Sequence, residues 1–290
     1  MRSFLPSYDL HRPANLNDAL TLLAQEPGVW RPFAGGTDLM VLLESGMLAH
    51  HKFISFWGLP ELRGIETRPD SLSLGALTTY TDVLKHSVIR AEFPLLCEAA
   101  SQTGGVATQN RGTLGGNIGN ASPAADTPPA LIVYDAELEL TSASGTRRVP
   151  YDRFHTGYKR SLLAPEEIIA RIHLPRRRGW TTTYRKVGTR KAQAIAKICF
   201  AAAAQMDGSI VRDVRFAFGS VASTVVRATA AESAMRDKEA SEGAIAEAVD
   251  ALTADITPID DIRSTARYRQ FVSRQLLAGF LSSLSGDERR

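Results

Sequence analysis

Leucines 16, 20 and 23 recur at helical spacing in "NLNDALTLLAQEPG", which predicts an amphipathic helix capped by Asn15 or Asn17 and stopped at Pro27-Gly28. The run "VWRPFA" then predicts a short strand, and "LMVLLESG" suits a strand or a short helix equally. Leu72, Leu74 and Ala76 alternate as in a strand. "TDVLKHSVI" predicts a helix from Thr81 or Asp82, and "FPLLCEAASQTG" another, ended by Gly104-Gly105. "AELELTSASGTRRVPY" predicts a hairpin about Ser144-Gly145 with Leu138 and Leu140 on one side, and "LAPEEIIARIHLP" a strand with Ile168, Ile172 and Leu174 as its apolar members. "PRRRGW" at 175–180 interrupts the pattern and marks a domain boundary. Beyond it, "AKICFAAAAQM" and "VRDVRFAFGSV" predict strands joined at Asp207-Gly208. Two helices close the chain, one with Ile245, Val249 and Leu252 facing the core, the other with Tyr268, Val272, Leu276 and Phe280.

Two glycine pairs stand where strands should hand over to helices: "AGGTDL" at 34–39 and "NRGTLGGNIGNASPAAD" at 110–126. Glycine permits positive φ and lets a ligand approach the main chain, so successive N–H groups can converge on an anion. Neither GxxxxGK[ST] nor GxGxxG is present, which argues against a P-loop and against a Rossmann fingerprint. A single Gly-Gly usually marks only a tight turn. Here two such loops sit among Thr37, Asp38, Thr113, Asn117, Asn120, Ser122 and Asp126, a set of hydroxyls, amides and carboxylates suited to a large polar nucleotide.

Composition narrows the chemistry. The 290 residues exceed one small core, and 44% hydrophobic with 22% charged residues is ordinary for a globular chain. A formal net charge of +3 is too mild to imply nucleic acid, and "PRRRGW" and "RKVGTRK" lack the aromatics of a stacking surface; they read as a solvated face or a partner surface. Two cysteines, Cys97 and Cys199, exclude an all-cysteine iron–sulfur cluster, which needs four thiolates. No HxxxH pair occurs among six histidines, and His50-His51 reads as an exposed loop feature. The N-terminus lacks the apolar core of a signal peptide and the longest apolar run, "ICFAAAA", has seven residues, so a cytoplasmic protein without membrane contact is expected.

The two glycine motifs, with "TGYKRSLLAPEEIIARIHLP", "YRKVGTRKAQAIAKI" and the ending near "DDIRSTARYRQ", resemble the flavoprotein subunit of the molybdenum hydroxylases of the xanthine and carbon monoxide dehydrogenase type. The resemblance runs along nearly the whole chain. It implies an α+β fold: a two-subdomain FAD-binding unit, PCMH/vanillyl-alcohol-oxidase-like, at 1–177 (subdomains about 1–58 and 59–177), then a small α+β domain at 178–290. It also implies non-covalent FAD in the crevice between the subdomains. Phe33, Ala34, Gly35, Gly36, Thr37, Asp38 and Leu39 would wrap its diphosphate. Thr113, Leu114, Gly115, Gly116 and Asn117 would form the second wall, with Gly116 expected at positive φ. Asp126 would accept from a ribityl or ribose hydroxyl, Ile169 would pack on a ring, and Lys186 would lie near the flavin, unless it is a solvated cation. "GSVASTVVRA" departs from the family pattern, with Ser220 and Ser223 where glycine and proline are common.

On that resemblance no catalytic residue and no metal ligand belong to this chain. The substrate would be oxidised at a molybdopterin cofactor on a large partner, and [2Fe-2S] clusters on a small partner would relay electrons to FAD here, for NAD or oxygen to accept. Two alternatives stay open: a stand-alone FAD-dependent oxidoreductase, and a basic nucleic-acid-binding protein.

Overall fold

The computed structural model describes residues 7–190 and 193–285, so Lys191 of the "RKVGTRK" stretch and part of the expected N-terminal and C-terminal segments lie outside the described residues. The first helix is Leu16–Gln25, capped by Asn15, whose side chain accepts from the Asp18 N–H at 2.9 Å. It joins strands of a small parallel sheet ordered Asp9–His11, Lys52–Ser55, Arg31–Phe33. The ambiguous run after the first glycine pair is helical, Leu39–Glu44. Ala19, Leu20 and Leu23 pack on Ile54 and Phe56 to make this unit's core.

A five-stranded antiparallel sheet follows, ordered Ile65–Thr67, Ser71–Gly75, Ile168–Pro175, Glu137–Ser142, Gly145–Pro150. The expected hairpin is its edge, with Leu138 and Leu140 both fully buried. Two expectations need correction. The helix expected over 81–89 begins at Tyr80, because Thr79 and Asp82 form a capping box, and it divides at His86 into Tyr80–Lys85 and Ser87–Glu92. The strand Ile168–Pro175 carries a bulge between Ile169 and Arg171, which shifts the alternation. Ile169, Ile172 and Leu174 therefore face one core, while Ile168 and Ala170 face that of the first unit.

The third sheet contains Thr181–Val187, Ile198–Asp207 and Ile210–Gly219, all antiparallel. Its central strand explains the apolar run "ICFAAAA". Cys199, Ala201 and Ala203 pack toward the second unit, whereas Ile198, Phe200, Ala202 and Ala204 pack under the closing helices Glu242–Asp255 and Ala266–Ser282. A strand buried on both faces has no polar alternation to show. The basic stretch "PRRRGW" is exposed at 177–179, while Arg176 forks onto Glu92 and Arg177 pairs with Asp135 at 2.9 Å.

Candidate functional site

The first glycine loop leaves the carboxyl end of the Arg31–Phe33 strand, the position where open parallel sheets present ligand sites. Gly36 has φ +79°, which a side chain would strain, and Asp38 returns to the right-handed helical region. Among the described residues, the N–H groups of Gly36, Thr37, Asp38 and Leu39 meet no acceptor from the chain. Successive free donors in a turn are the kind of group that can converge on an anion.

The second loop is built differently. Thr113 caps the helix Leu114–Gly119, accepting the Gly116 N–H at 3.0 Å. The Leu114 and Gly115 N–H groups donate to the Thr78 and Ala76 carbonyls, seating the loop on the end of the second sheet. A side chain on Gly115 would crowd Ala76, so its glycine serves close packing. Gly116 is helical, not at positive φ, and a Cβ there would meet only the Thr113 hydroxyl. Backbone strain therefore does not require a glycine at 116, contrary to expectation.

The two loops meet. A Cβ on Gly35 would overlap the Arg111 carbonyl, and the Arg111 Nε–H donates to the Gly35 carbonyl at 3.4 Å. The Asn120 amide donates to the Asp38 carboxylate at 3.0 Å, and Lys159 donates to the Asn120 carbonyl at 2.6 Å. The Arg111 guanidinium lies 3.8 Å from the Trp57 ring centroid and that of Arg63 4.6 Å, so two cations flank one indole beside the loop contact. Arg111, Trp57, Arg63 and Lys159 were missed by the sequence reading. Arg111 lies inside the second glycine motif and Lys159 inside "TGYKRSLLAPEEIIARIHLP", whereas nothing local marks Trp57 or Arg63.

Ile169 approaches the second loop, its δ-methyl 3.9 Å from the Cβ position of Gly119. Phe33 packs edge-on against Phe53, 6.2 Å between centroids, under the first loop. Asp126 and Lys186 form a buried pair at 2.7 Å, and the Lys186 ammonium also donates to the Gln102 carbonyl at 2.9 Å. Lys186 is thus no solvated cation: its side chain is 8% exposed. The other Asp126 oxygen accepts from the Cys199 thiol at 3.3 Å, and the Tyr184 hydroxyl donates to the Asp126 carbonyl at 3.0 Å. Burial pushes the Asp126 carboxyl up, with Lys186 opposing, and pushes the Cys199 thiol and Tyr184 phenol well up. The next residue, Thr127, donates to the Asn117 side chain at 2.7 Å, which couples this pair to the second loop.

These features bring the two glycine loops into contact, with the Asp126–Lys186 pair tied to the second loop. The chain matches the family described as "FAD binding domain in molybdopterin dehydrogenase" over residues 6–177, and "CO dehydrogenase flavoprotein C-terminal domain" over residues 183–284. It is 31% identical to the xanthine dehydrogenase FAD-binding subunit of Escherichia coli O157:H7, over 95% of this chain and 97% of that protein. It is 30% identical to the carbon monoxide dehydrogenase medium chain of Hydrogenophaga pseudoflava, covering 96% and 97%. A solved carbon monoxide dehydrogenase from Hydrogenophaga pseudoflava superposes with a TM-score of 0.91 at 30% identity, covering 96% of each chain. The chain belongs to the FAD-binding subunits of the molybdopterin dehydrogenases, the xanthine and carbon monoxide dehydrogenase family of oxidoreductases. Among the described residues, no helix is long and apolar enough to cross a membrane.

Proposed function

We propose that this chain holds one FAD non-covalently in the crevice and serves as the electron-carrying subunit of a larger cytoplasmic enzyme. It takes electrons from [2Fe-2S] clusters on a small partner, after substrate oxidation at a molybdopterin cofactor on a large partner, and delivers them to NAD or oxygen. The observation that carries this reading is the row of amides from Gly36 to Leu39 that meet no acceptor among the described residues, in a loop packed against Arg111 of the second glycine motif. FAD, when bound, supplies a group that exchanges electrons singly or in pairs.

We divide the labour along 1–58, 59–177 and 178–290. Phe33 to Leu39 receive the diphosphate, Thr113 to Asn117 form the facing wall, and Ile169 supports it from beneath. Asp126 and Lys186 fix the position of that wall through Thr127 and Asn117 and keep a charged pair at its margin.

The test has two stages. Purified chain should carry one FAD. Gly36→Val should weaken it by at least about tenfold with far-ultraviolet circular dichroism unchanged, because its strain is confined to the loop. Undiminished affinity would overturn the loop assignment. Anaerobic reduction then separates relay from stand-alone enzyme: the isolated chain should not lose its colour with small organic substrates, and should do so once both partners copurify. Bleaching of the isolated chain by such a substrate would make it a self-sufficient oxidoreductase.

A further inference from the structure

A cavity of about 370 Å³ lies away from the glycine loops, where the 176–180 linker passes between the second and third units. That volume is in the range of small-molecule sites. Its floor is one row across the third sheet, Thr182, Ala203 and Arg215, which are register partners. Phe93 and Tyr134 wall it, and Trp180 closes it with Arg178 from the linker. The lining is thus flat rings with a few converging cations.

The charges there are unequally satisfied. Arg215 is 6% exposed; one end of its guanidinium pairs with Asp135 at 2.6 Å and the other with Asp213 at 3.2 Å, yet its buried Nε–H has no partner. The same guanidinium stands 4.7 Å from the Trp180 ring centroid. Arg177 shares Asp135 with Arg215 and Arg227, and Glu92 pairs with Arg176. Arg178 alone among the lining cations has no ion pair among the described residues; after Arg176 it helps to hold the Glu92 carboxyl down. One carboxylate serving three guanidinium groups leaves positive charge in excess, and a cation without an ion pair beside aromatic rings calls for an anionic group carried on a ring.

We propose that this cavity is a second ligand site, distinct from the FAD crevice, for a one- or two-ring aromatic carboxylate. The carboxylate meets Arg178, and the ring lies against Tyr134 and Trp180. Inorganic phosphate and a short aliphatic acid would each leave the rings unfilled.

Calorimetric titration of the FAD-loaded full chain tests this with benzoate, benzamide, acetate and inorganic phosphate. Benzoate should bind saturably and at least about tenfold more tightly than the other three. Arg178→Ala, an exposed position, should weaken benzoate by about tenfold. Ala203→Leu, which fills the floor, should abolish it, with flavin content and circular dichroism unchanged in both variants. Absence of benzoate binding, equal binding of benzamide, preference for phosphate, or indifference to Arg178→Ala would each overturn the proposal. Should Ala203→Leu fail to fold, Arg178→Ala with the benzamide comparison still decides.

Discussion

Lys186 and Asp126 show how much a single side chain depends on what folds over it. The sequence left Lys186 open between a flavin neighbour and a solvated cation; the structure buries it against a carboxylate that also accepts from a thiol, while the Gln102 carbonyl accepts from the same ammonium. Removing one member of a buried ion pair strands the other, at a cost of about 3–5 kcal/mol. Lys186→Met should therefore lower the urea unfolding free energy by roughly 3 kcal/mol at neutral pH, and Asp126→Leu in the same chain should recover part of it. The pH dependence has a definite sign. Burial already raises the Asp126 carboxyl, and without Lys186 to oppose this it rises further. A carboxyl raised on folding loses its contribution as pH climbs through the folded value, so the deficit of Lys186→Met should be smaller at pH about 5 than at pH about 8. A deficit that is flat with pH would mean the lysine contributes packing alone.

At the scale of elements, the closing helix Ala266–Ser282 carries the plainest lesson. Its apolar positions suggest a stripe through Tyr268, Val272, Leu276 and Phe280, yet the buried side chains are Arg269, Ser273, Leu277, Phe280 and Leu281. The helix is turned by about one residue, leaving Tyr268 40% exposed under the Lys197 ammonium. The turn brings the Arg269 guanidinium inside, where it donates to the Ser220 carbonyl at 2.7 Å and to the Asp261 carboxylate at 2.6 Å. Ser220 itself holds φ +66°, a conformation that favours glycine. Burial works to raise the Asp261 carboxyl, but hydrogen bonds from Arg263, Arg269 and the Ser264 N–H outweigh it and hold it well below the usual carboxylate range. Such a carboxylate gives its full stability above its ordinary value of 3.8 and loses it as pH falls toward the depressed one. Asp261→Asn should thus flatten the acid limb of the stability–pH curve below pH about 4. An acid limb as steep as the parent's would remove Asp261 from the account.

Across the whole molecule, Asp135 acts as a hub. It follows the helix Pro128–Val133 at φ +49° and pairs with Arg177 of the linker, Arg215 and Arg227 of the third unit, at 2.9, 2.6 and 2.8 Å. The apolar interface beneath is made by Tyr184, Ala201, Ala203 and Ala217 joining the core of the second unit. Both ties should make the units unfold together. Asp135→Asn tolerates the same backbone conformation but removes the charge that three guanidinium groups share. Calorimetry should show the parent's single transition broaden or split in Asp135→Asn, with the third unit melting first. One transition of unchanged width and midpoint would assign the coupling to the apolar contact alone.

Much of this protein was already decided in the sequence. Capping side chains, the period-two leucines of the hairpin and the Asp207-Gly208 turn act within a few residues, so their elements follow from local chemistry. The glycine motifs likewise disclosed the family, because the loop that leaves four amides free needs its glycine wherever it occurs. Tertiary structure decided what depends on partners distant in the chain. The bulge at Ile169–Arg171 reassigns which isoleucines share a core only because two units compete for one strand. Arg111 became a neighbour of Gly35, and Lys186 of Asp126, through packing across 76 and 60 residues of chain, a distance over which no periodicity carries information. Charge compensation is likewise a property of the folded neighbourhood: the same arginine type is a buried strut at 215, a linker clasp at 176 and, at 178, a cation with no ion pair among the described residues.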